Sequence, residues 1–191
     1  AMRRLVPEHY HSRIDFLSLD VGRMSLGRLE RAVERAWHIP LAAVDAVHCS
    51  PNCTCLSKAH HGKIRHYDGV VPVTSHARRD LRDLEHMLRL LDSVSRLAKG
   101  VTISVENPVG KFQDLPAVLS QSRRPGWRLV PRADHCVMAC PHLDGDHVFP
   151  KKPTSWLLYN VRTDAPLCQC NRRCRFRVSD RSPRHRRVIC N

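Results

Sequence analysis

Two short segments of the chain carry side chains that could form a covalent bond or exchange a proton. The first is the loop Ser50–Cys53, where serine, proline and asparagine, residues that favour turns, precede a thiol. The second is Glu106 and Asn107, directly after a run rich in β-branched residues. A thiolate is a nucleophile, and a carboxylate can act as a general acid or base. The plainer interpretations are a buried structural thiol and a strand-end acid that pairs with an arginine.

The C-terminal part of the chain holds a second group of reactive side chains. The chain has nine cysteines, an odd number, and no visible secretory signal, which favours reduced thiols and a metal over disulfides. The predicted zinc ligands are Cys168, Cys170, Cys174, His185 and Cys190. Further potential ligands are Cys136, Cys140 and His142, and, near the first loop, the histidines at 60, 61 and 66. The alternative is a set of unrelated thiols in a loop-rich tail.

Strands and helices alternate in the segments that must position the first site. Strands are predicted over residues 14–20, 44–48 and 101–105, with one helix between Ser25 and Pro40 and another over residues 75–99. Such alternation indicates a parallel α/β sheet, in which functional loops lie beyond the carboxyl ends of the strands. Asp20, the Cys53 loop and Glu106 would then share one edge of the sheet.

Length and charge limit the architecture and the partner. A chain of 191 residues is long enough for one main domain and a small appendage. The 32 lysines and arginines exceed the 18 acids and give a formal charge of +14, which favours DNA as the partner, with RNA as the alternative. No run approaches the roughly 20 apolar residues that cross a bilayer. We therefore expect an intracellular protein, nuclear if it is eukaryotic, that does not bind membranes.

The order of the motifs resembles that of cytosine-5 DNA methyltransferase-like proteins, and most closely their divergent phage- and retroelement-type branch. His48–Ser57 is similar to the family's strand and Pro-Cys loop with a serine shortly after it, and Val105–Pro108 is similar to its Glu-Asn motif. Asp134–Met138 and Lys151–Thr154 resemble a later strand and a Lys-Pro-Thr segment of that branch. Each motif is short, so their shared order along the chain gives the resemblance its strength.

The resemblance implies a Rossmann-like methyltransferase sheet, formed by residues 1–130, and a small Cys/His-rich C-terminal extension with further strands, residues 131–191. It implies that the Cys53 thiolate attacks C6 of a cytosine that has been flipped out of the duplex. Glu106 would then bond to the ring near N3, and Asn107 would hold the loop or contact the base edge. The methyl group would pass from S-adenosylmethionine to C5.

The same resemblance assigns the cofactor to residues near this site. Asp20 would bind the ribose hydroxyls of S-adenosylmethionine, as an acid at a strand end does in dinucleotide folds, the alternative being a solvated aspartate in a turn. Ser50 and Pro51 would contact the cofactor from the loop. The chain departs from the family in having Asn52 in place of the proline before the cysteine. It also lacks a recognisable glycine-rich cofactor motif before Ile14. The alternative function is therefore that of an inactive methyltransferase relative, acting as a zinc-containing module that binds nucleic acid or regulates another protein.

Overall fold

Three helices and six strands make up the regular structure in a computed structural model that describes residues 17, 19, 24–57, 64–134 and 153–161. The helices are α1 (Leu26–Trp37), α2 (Ser75–Leu97) and α3 (Pro116–Ser122). The strands are β1 (Ala46–Cys49), β2 (Tyr67–Asp68), β3 (Val71–Pro72), β4 (Thr102–Pro108), β5 (Trp127–Asp134) and β6 (Pro153–Tyr159). Short 3-10 turns lie at Leu41–Ala43 and Phe112–Asp114.

Four of the strands form a mixed sheet in the order β1-β4-β6-β5. The pair β1 and β4 is parallel, whereas β6 runs antiparallel to both β4 and β5. The prediction of an α/β fold is therefore confirmed, but the prediction of a parallel sheet was right only for the β1 and β4 pair among the described strands. The reason is that β6 enters between β4 and β5 and pairs along the whole length of β4 from Ile103 to Pro108.

The two helices predicted from apolar spacing are confirmed. Helix α1 begins after Ser25, whose side chain accepts a hydrogen bond from the Arg28 amide at 3.4 Å, and it ends at His38, which adopts a left-handed conformation with φ of 57°. Helix α2 follows Thr74, whose hydroxyl accepts a bond from the Ala77 amide at 3.2 Å. Most of the periodic apolar residues of both helices are buried or partly buried, because each helix needs one face to cover the sheet or its neighbour, whereas Leu97 at the end of α2 is 45% exposed.

Helix α2 lies between two apolar clusters and thereby joins α1 to the sheet. Its residues Leu84, Leu88 and Leu91 pack with the central strand β4 and with Phe112, which is fully buried. Its residues Leu90 and Val94 pack in the second cluster, which contains the buried residues of α1. The functional loops that follow β1 and β4 are thus supported by a continuous core.

Asp92 on α2 is expected to make stability depend on pH. Burial opposes its ionisation, but Arg124 at 2.5 Å and Arg96 at 2.8 Å outweigh that effect, so the pKa of the Asp92 carboxyl lies below its usual range. The carboxylate therefore contributes stability above about pH 4, the pKa of an unfolded aspartate, and loses that contribution as the pH falls further. Asp92→Asn should lower the free energy of unfolding by about 1–2 kcal/mol at pH 7, a modest loss because both arginine partners remain about half-exposed or more to solvent.

Urea denaturation across pH tests this expectation. The unfolding free energies of the unaltered chain and of Asp92→Asn should begin to converge below about pH 4, where the unfolded carboxyl takes up a proton, and should meet once the native carboxyl is protonated as well. Asp68→Asn is the matched control, since Asp68 pairs with Arg65 on the surface and should change stability by less than about 1 kcal/mol. A constant difference between Asp92→Asn and the unaltered chain at every pH would contradict the assignment.

Several predicted elements fall outside the described residues. The predicted strand over residues 14–20 is described only at Leu17 and Leu19, which pack against the cluster of α1 without regular structure. The later strand predicted at Asp134–Met138 is described only at its first residue, which ends β5. None of the described helices is long and apolar enough to cross a membrane.

Candidate functional site

The parallel pairing of β1 and β4 brings the two predicted reactive segments to one edge of the sheet. The last residue of β1, Cys49, lies opposite Val105, so Ser50 follows beside Glu106. The Ser50 hydroxyl donates a hydrogen bond to Glu106 Oε2 at 2.9 Å. One residue further on, Asn107 Nδ2 donates to the carbonyl oxygen of Pro51 at 3.1 Å. Neighbouring side chains of β4 therefore hold the loop that leads to Cys53.

Glu106 and Asn107 lie inside strand β4, whereas the sequence pattern predicted them just beyond the end of that strand. They pair with Trp156 and Ser155 of β6, which extends the strand through Pro108. Both side chains are buried, Glu106 with 7% of its surface exposed and Asn107 with none. Membership in a paired strand fixes their backbones, so the carboxylate and the amide reach the loop from a rigid support.

Asn52 ties the same loop to helix α2. Its Nδ2 donates to Asp80 Oδ1 at 3.2 Å, while its Oδ1 accepts bonds from the Thr54 amide at 3.1 Å and the Thr54 hydroxyl at 2.9 Å. In the motif of the cytosine-5 DNA methyltransferase-like proteins that this loop resembles, a proline takes the position of Asn52. Side-chain hydrogen bonds thus supply the restraint on the loop that a proline ring would give through its backbone.

Cys53 differs from the other two described cysteines in its exposure. Cys49 and Cys55 are buried, whereas the Cys53 side chain is partly exposed. Burial raises the pKa of the Cys49 thiol to about 11, so this thiol stays protonated near neutral pH. The Cys53 carbonyl accepts bonds from the amides of Leu56 at 3.1 Å and Ser57 at 2.8 Å, which closes one tight turn. Cys53 is therefore the described thiol best placed to meet a substrate.

His48 belongs to the site although its chemistry was not considered from the sequence. Its Nδ1 and the hydroxyl of Ser104 are 2.9 Å apart, and its ring centroid lies 6.1 Å from that of Trp156. Burial lowers the pKa of His48, and the nearby Glu106 carboxylate opposes that effect. The period of two in a strand places Ser104 and Glu106 on one face of β4, so alternation along the strands is the signal that could have found this group.

Two cavities, each of about 490 Å³, flank the loop. The first lies against Ser50 and Pro51, and its remaining wall is mostly apolar, with Trp37 on α1 and Leu84 and Met87 on α2. The second lies on the side of Cys55 and Leu56 and is bordered by cationic groups of Arg65 and Lys111. Both volumes are in the range of about 300–1,000 Å³ that is usual for small-molecule sites.

The remaining predicted site residues lie outside the part of the chain that the structure describes. They are Asp20 of the predicted cofactor site and the predicted zinc ligands Cys168, Cys170, Cys174, His185 and Cys190. Of the three histidines near the loop, only His66 is described, and its Nδ1 lies 3.0 Å from the Thr74 hydroxyl.

Comparison of the chain with protein-family models, with curated proteins and with solved structures found no match. The chemistry of the site is therefore inferred from its own residues and their geometry.

Proposed function

We propose that this protein is a DNA (cytosine-5) methyltransferase-like enzyme that forms a covalent adduct between Cys53 and a flipped cytosine. The observation that carries the proposal is the arrangement at the sheet edge. The loop that presents the partly exposed Cys53 follows β1, and its residues Ser50 and Pro51 are bonded to Glu106 and Asn107 of the adjacent parallel strand. A nucleophile and a buried carboxylate are thereby supported by one rigid frame.

The residue types suit the difficulty of the reaction. Cytosine C5 is a weak nucleophile until a group adds at C6. The Cys53 thiol would lose its proton and form a sulfur–C6 bond, while Glu106 shares a proton with N3, where the displaced electron pair collects, and C5 thereby becomes the nucleophilic carbon of an enamine. The resulting enamine carbon C5 is methylated, the C5 proton leaves to a base or water, and the sulfur–C6 bond breaks to restore the ring. The complete cycle returns Cys53 and Glu106 to their starting states once the sulfur–C6 bond has broken and the shared protons have been returned.

The methyl donor that fits this chemistry is S-adenosylmethionine, which supplies an electrophilic methyl group and leaves as S-adenosylhomocysteine. The cavity beside Ser50 and Pro51 is the candidate position for it. Its apolar wall at Trp37, Leu84 and Met87 suits a planar purine ring, while the Ser50 and Asn52 side chains offer polar groups at one side. The formal charge of +14 favours DNA as the other substrate.

A calorimetric titration of S-adenosylmethionine and S-adenosylhomocysteine into the purified chain tests the proposal. We expect saturable binding of both, with or without a duplex that contains cytosine, because the cavity needs no DNA to form. Adenosine alone is the matched control, and it should bind more weakly because it lacks the amino-acid part of the cofactor. Absence of binding by both cofactor forms would contradict a methyltransferase.

The second candidate function is an inactive relative of such enzymes that binds nucleic acid or regulates another protein. The charge of +14 suits this function as well as the first, because a positive surface attracts phosphate whether or not a cofactor binds. Duplex binding that persists without any binding of S-adenosylmethionine would select this function over the first.

A further inference from the structure

Three potential metal ligands meet on the side of the Cys53 loop that faces helix α2. They are Cys55, His76 and Asp80, and one ligand atom from each lies within 4.8 Å of the others. His76 and Asp80 are four residues apart on α2, so they share one face of the helix, and Cys55 approaches that face from the loop. His76 Nε2 is 3.5 Å from Asp80 Oδ2. Two ligands of a tetrahedral zinc are separated by about the same distance, roughly 3.3–3.6 Å.

Asp80 provides an independent indication that a ligand belongs here. Its side chain is only 6% exposed, and its buried Oδ2 atom makes no well-formed hydrogen bond, since its nearest polar neighbours are the two other members of the cluster, His76 at 3.5 Å and the Cys55 thiol. A buried carboxylate oxygen that is poorly hydrogen-bonded is costly, and a cation held by the same three side chains would relieve that cost. The other oxygen, Oδ1, accepts a bond from Asn52 at 3.2 Å, which orients the carboxylate as outer hydrogen bonds commonly orient metal ligands.

We infer that Cys55, His76 and Asp80 form a binding site for a divalent transition-metal ion, and that zinc is the ion their chemistry favours. Thiolate, imidazole and carboxylate together match the ligands of zinc, whereas magnesium and calcium prefer oxygen ligands alone. A water molecule would supply the fourth ligand of a tetrahedral ion. The site uses none of the ligands predicted in the C-terminal part of the chain, and the inference does not depend on methyl transfer.

A metal at this position would brace the loop that carries Cys53. Asn52 and Cys55 stand on either side of Cys53, and both would be held to α2, one through Asp80 and the other through the ion. The metal would thus fix the loop without itself contacting the sulfur of Cys53. Cys53→Ser should therefore leave metal binding unchanged.

Cobalt(II) titration of the metal-free, full-length chain tests the inference. Cobalt is a spectroscopic substitute for zinc, and a thiolate-to-cobalt charge-transfer band reports a sulfur ligand. We expect Cys55→Ser and His76→Gln each to bind one equivalent of cobalt less than the unaltered chain, and added zinc to displace the ion. The difference in bound cobalt between each variant and the unaltered chain reports this site alone, because any cobalt bound by the C-terminal cysteines is present in both.

Matched variants control for general damage. Cys49→Ser removes an equally buried thiol outside the cluster, and His38→Gln removes an exposed histidine at the end of α1, so both should bind as much cobalt as the unaltered chain. His76 is 45% exposed, so His76→Gln should keep the native circular dichroism spectrum even if Cys55→Ser does not. Unchanged cobalt stoichiometry in a folded His76→Gln protein, or no cobalt binding by the unaltered chain, would overturn the inference.

Discussion

Cys53→Ser is expected to abolish covalent capture of an oligonucleotide duplex that contains 5-fluorocytosine. In the presence of S-adenosylmethionine the fluorine at C5 cannot leave as a proton does, so an enzyme that attacks C6 stays attached to the base. A serine hydroxyl is a far weaker nucleophile than a thiolate, and loss of a nucleophile typically lowers the rate by more than about 10³-fold. Non-covalent DNA binding should remain close to that of the unaltered chain, because the phosphate contacts are unchanged.

Denaturing gel electrophoresis measures the captured fraction, and a filter-binding assay measures affinity. Cys49→Ser is the matched control, because this neighbouring thiol is buried and should not reach the base. It should retain capture. Equal capture by Cys53→Ser and the unaltered chain would remove Cys53 from the mechanism.

Glu106→Gln is expected to slow methyl transfer by about 10²–10⁴-fold, the usual contribution of a general acid or base. Glutamine has the same shape and can still accept the hydrogen bond that Ser50 donates at 2.9 Å, so the loop should keep its position. It cannot exchange a proton with N3, so the cytosine ring loses the group that stabilises the adduct. The effect should therefore appear in the rate of a single turnover and much less in DNA affinity.

Glu85→Gln on α2 provides the control for loss of one negative charge, and it should leave the single-turnover rate unchanged. Circular dichroism of Glu106→Gln checks that the substitution in β4 has not unfolded the sheet. A rate within a few-fold of the unaltered chain would show that Glu106 takes no part in the proton transfer, and would favour a role in holding Ser50 alone.

Local periodicity predicted the helices and the parallel core pair with useful accuracy. Helix α2 was expected over residues 75–99 and is observed from Ser75 to Leu97, because its apolar residues recur at the spacing of one helix face. The strands β1 and β4 were also expected, and their parallel pairing brings Ser50 beside Glu106. These features depend on the spacing of apolar residues over a few neighbouring positions, and this spacing can be seen in a single sequence.

Long-range pairing could not be read in the same way. β6 was not predicted, and its insertion beside β4 places Glu106 and Asn107 within a strand, opposite Trp156 and Ser155. Nothing local to residues 106 and 107 indicates a partner almost fifty positions away. The period along β6 is also weak, because two pairs of adjacent residues are buried and the side chains do not simply alternate between core and solvent.

The cluster of Cys55, His76 and Asp80 could not be predicted from the sequence for the same reason, because it also depends on contacts between distant segments. His76 and Asp80 have the spacing of two ligands on one helix face, but the sequence offers many such pairs, and most are solvent-exposed ion pairs. Only the fold brings Cys55 to them and buries an oxygen of Asp80 that makes no well-formed hydrogen bond. The Asn52 bond to Asp80 likewise depends on the packing of the loop against α2.

The most direct test of the proposed reaction is to incubate the full chain with a cytosine-containing duplex and S-adenosylmethionine labelled in its methyl group, and then to digest the DNA to nucleosides. Chromatography of the nucleosides identifies the methylated atom. The proposed mechanism predicts label in 5-methyldeoxycytidine, and none after Cys53→Ser. Label at an exocyclic amino group, or no labelled nucleoside from a chain that binds both DNA and S-adenosylmethionine, would contradict it.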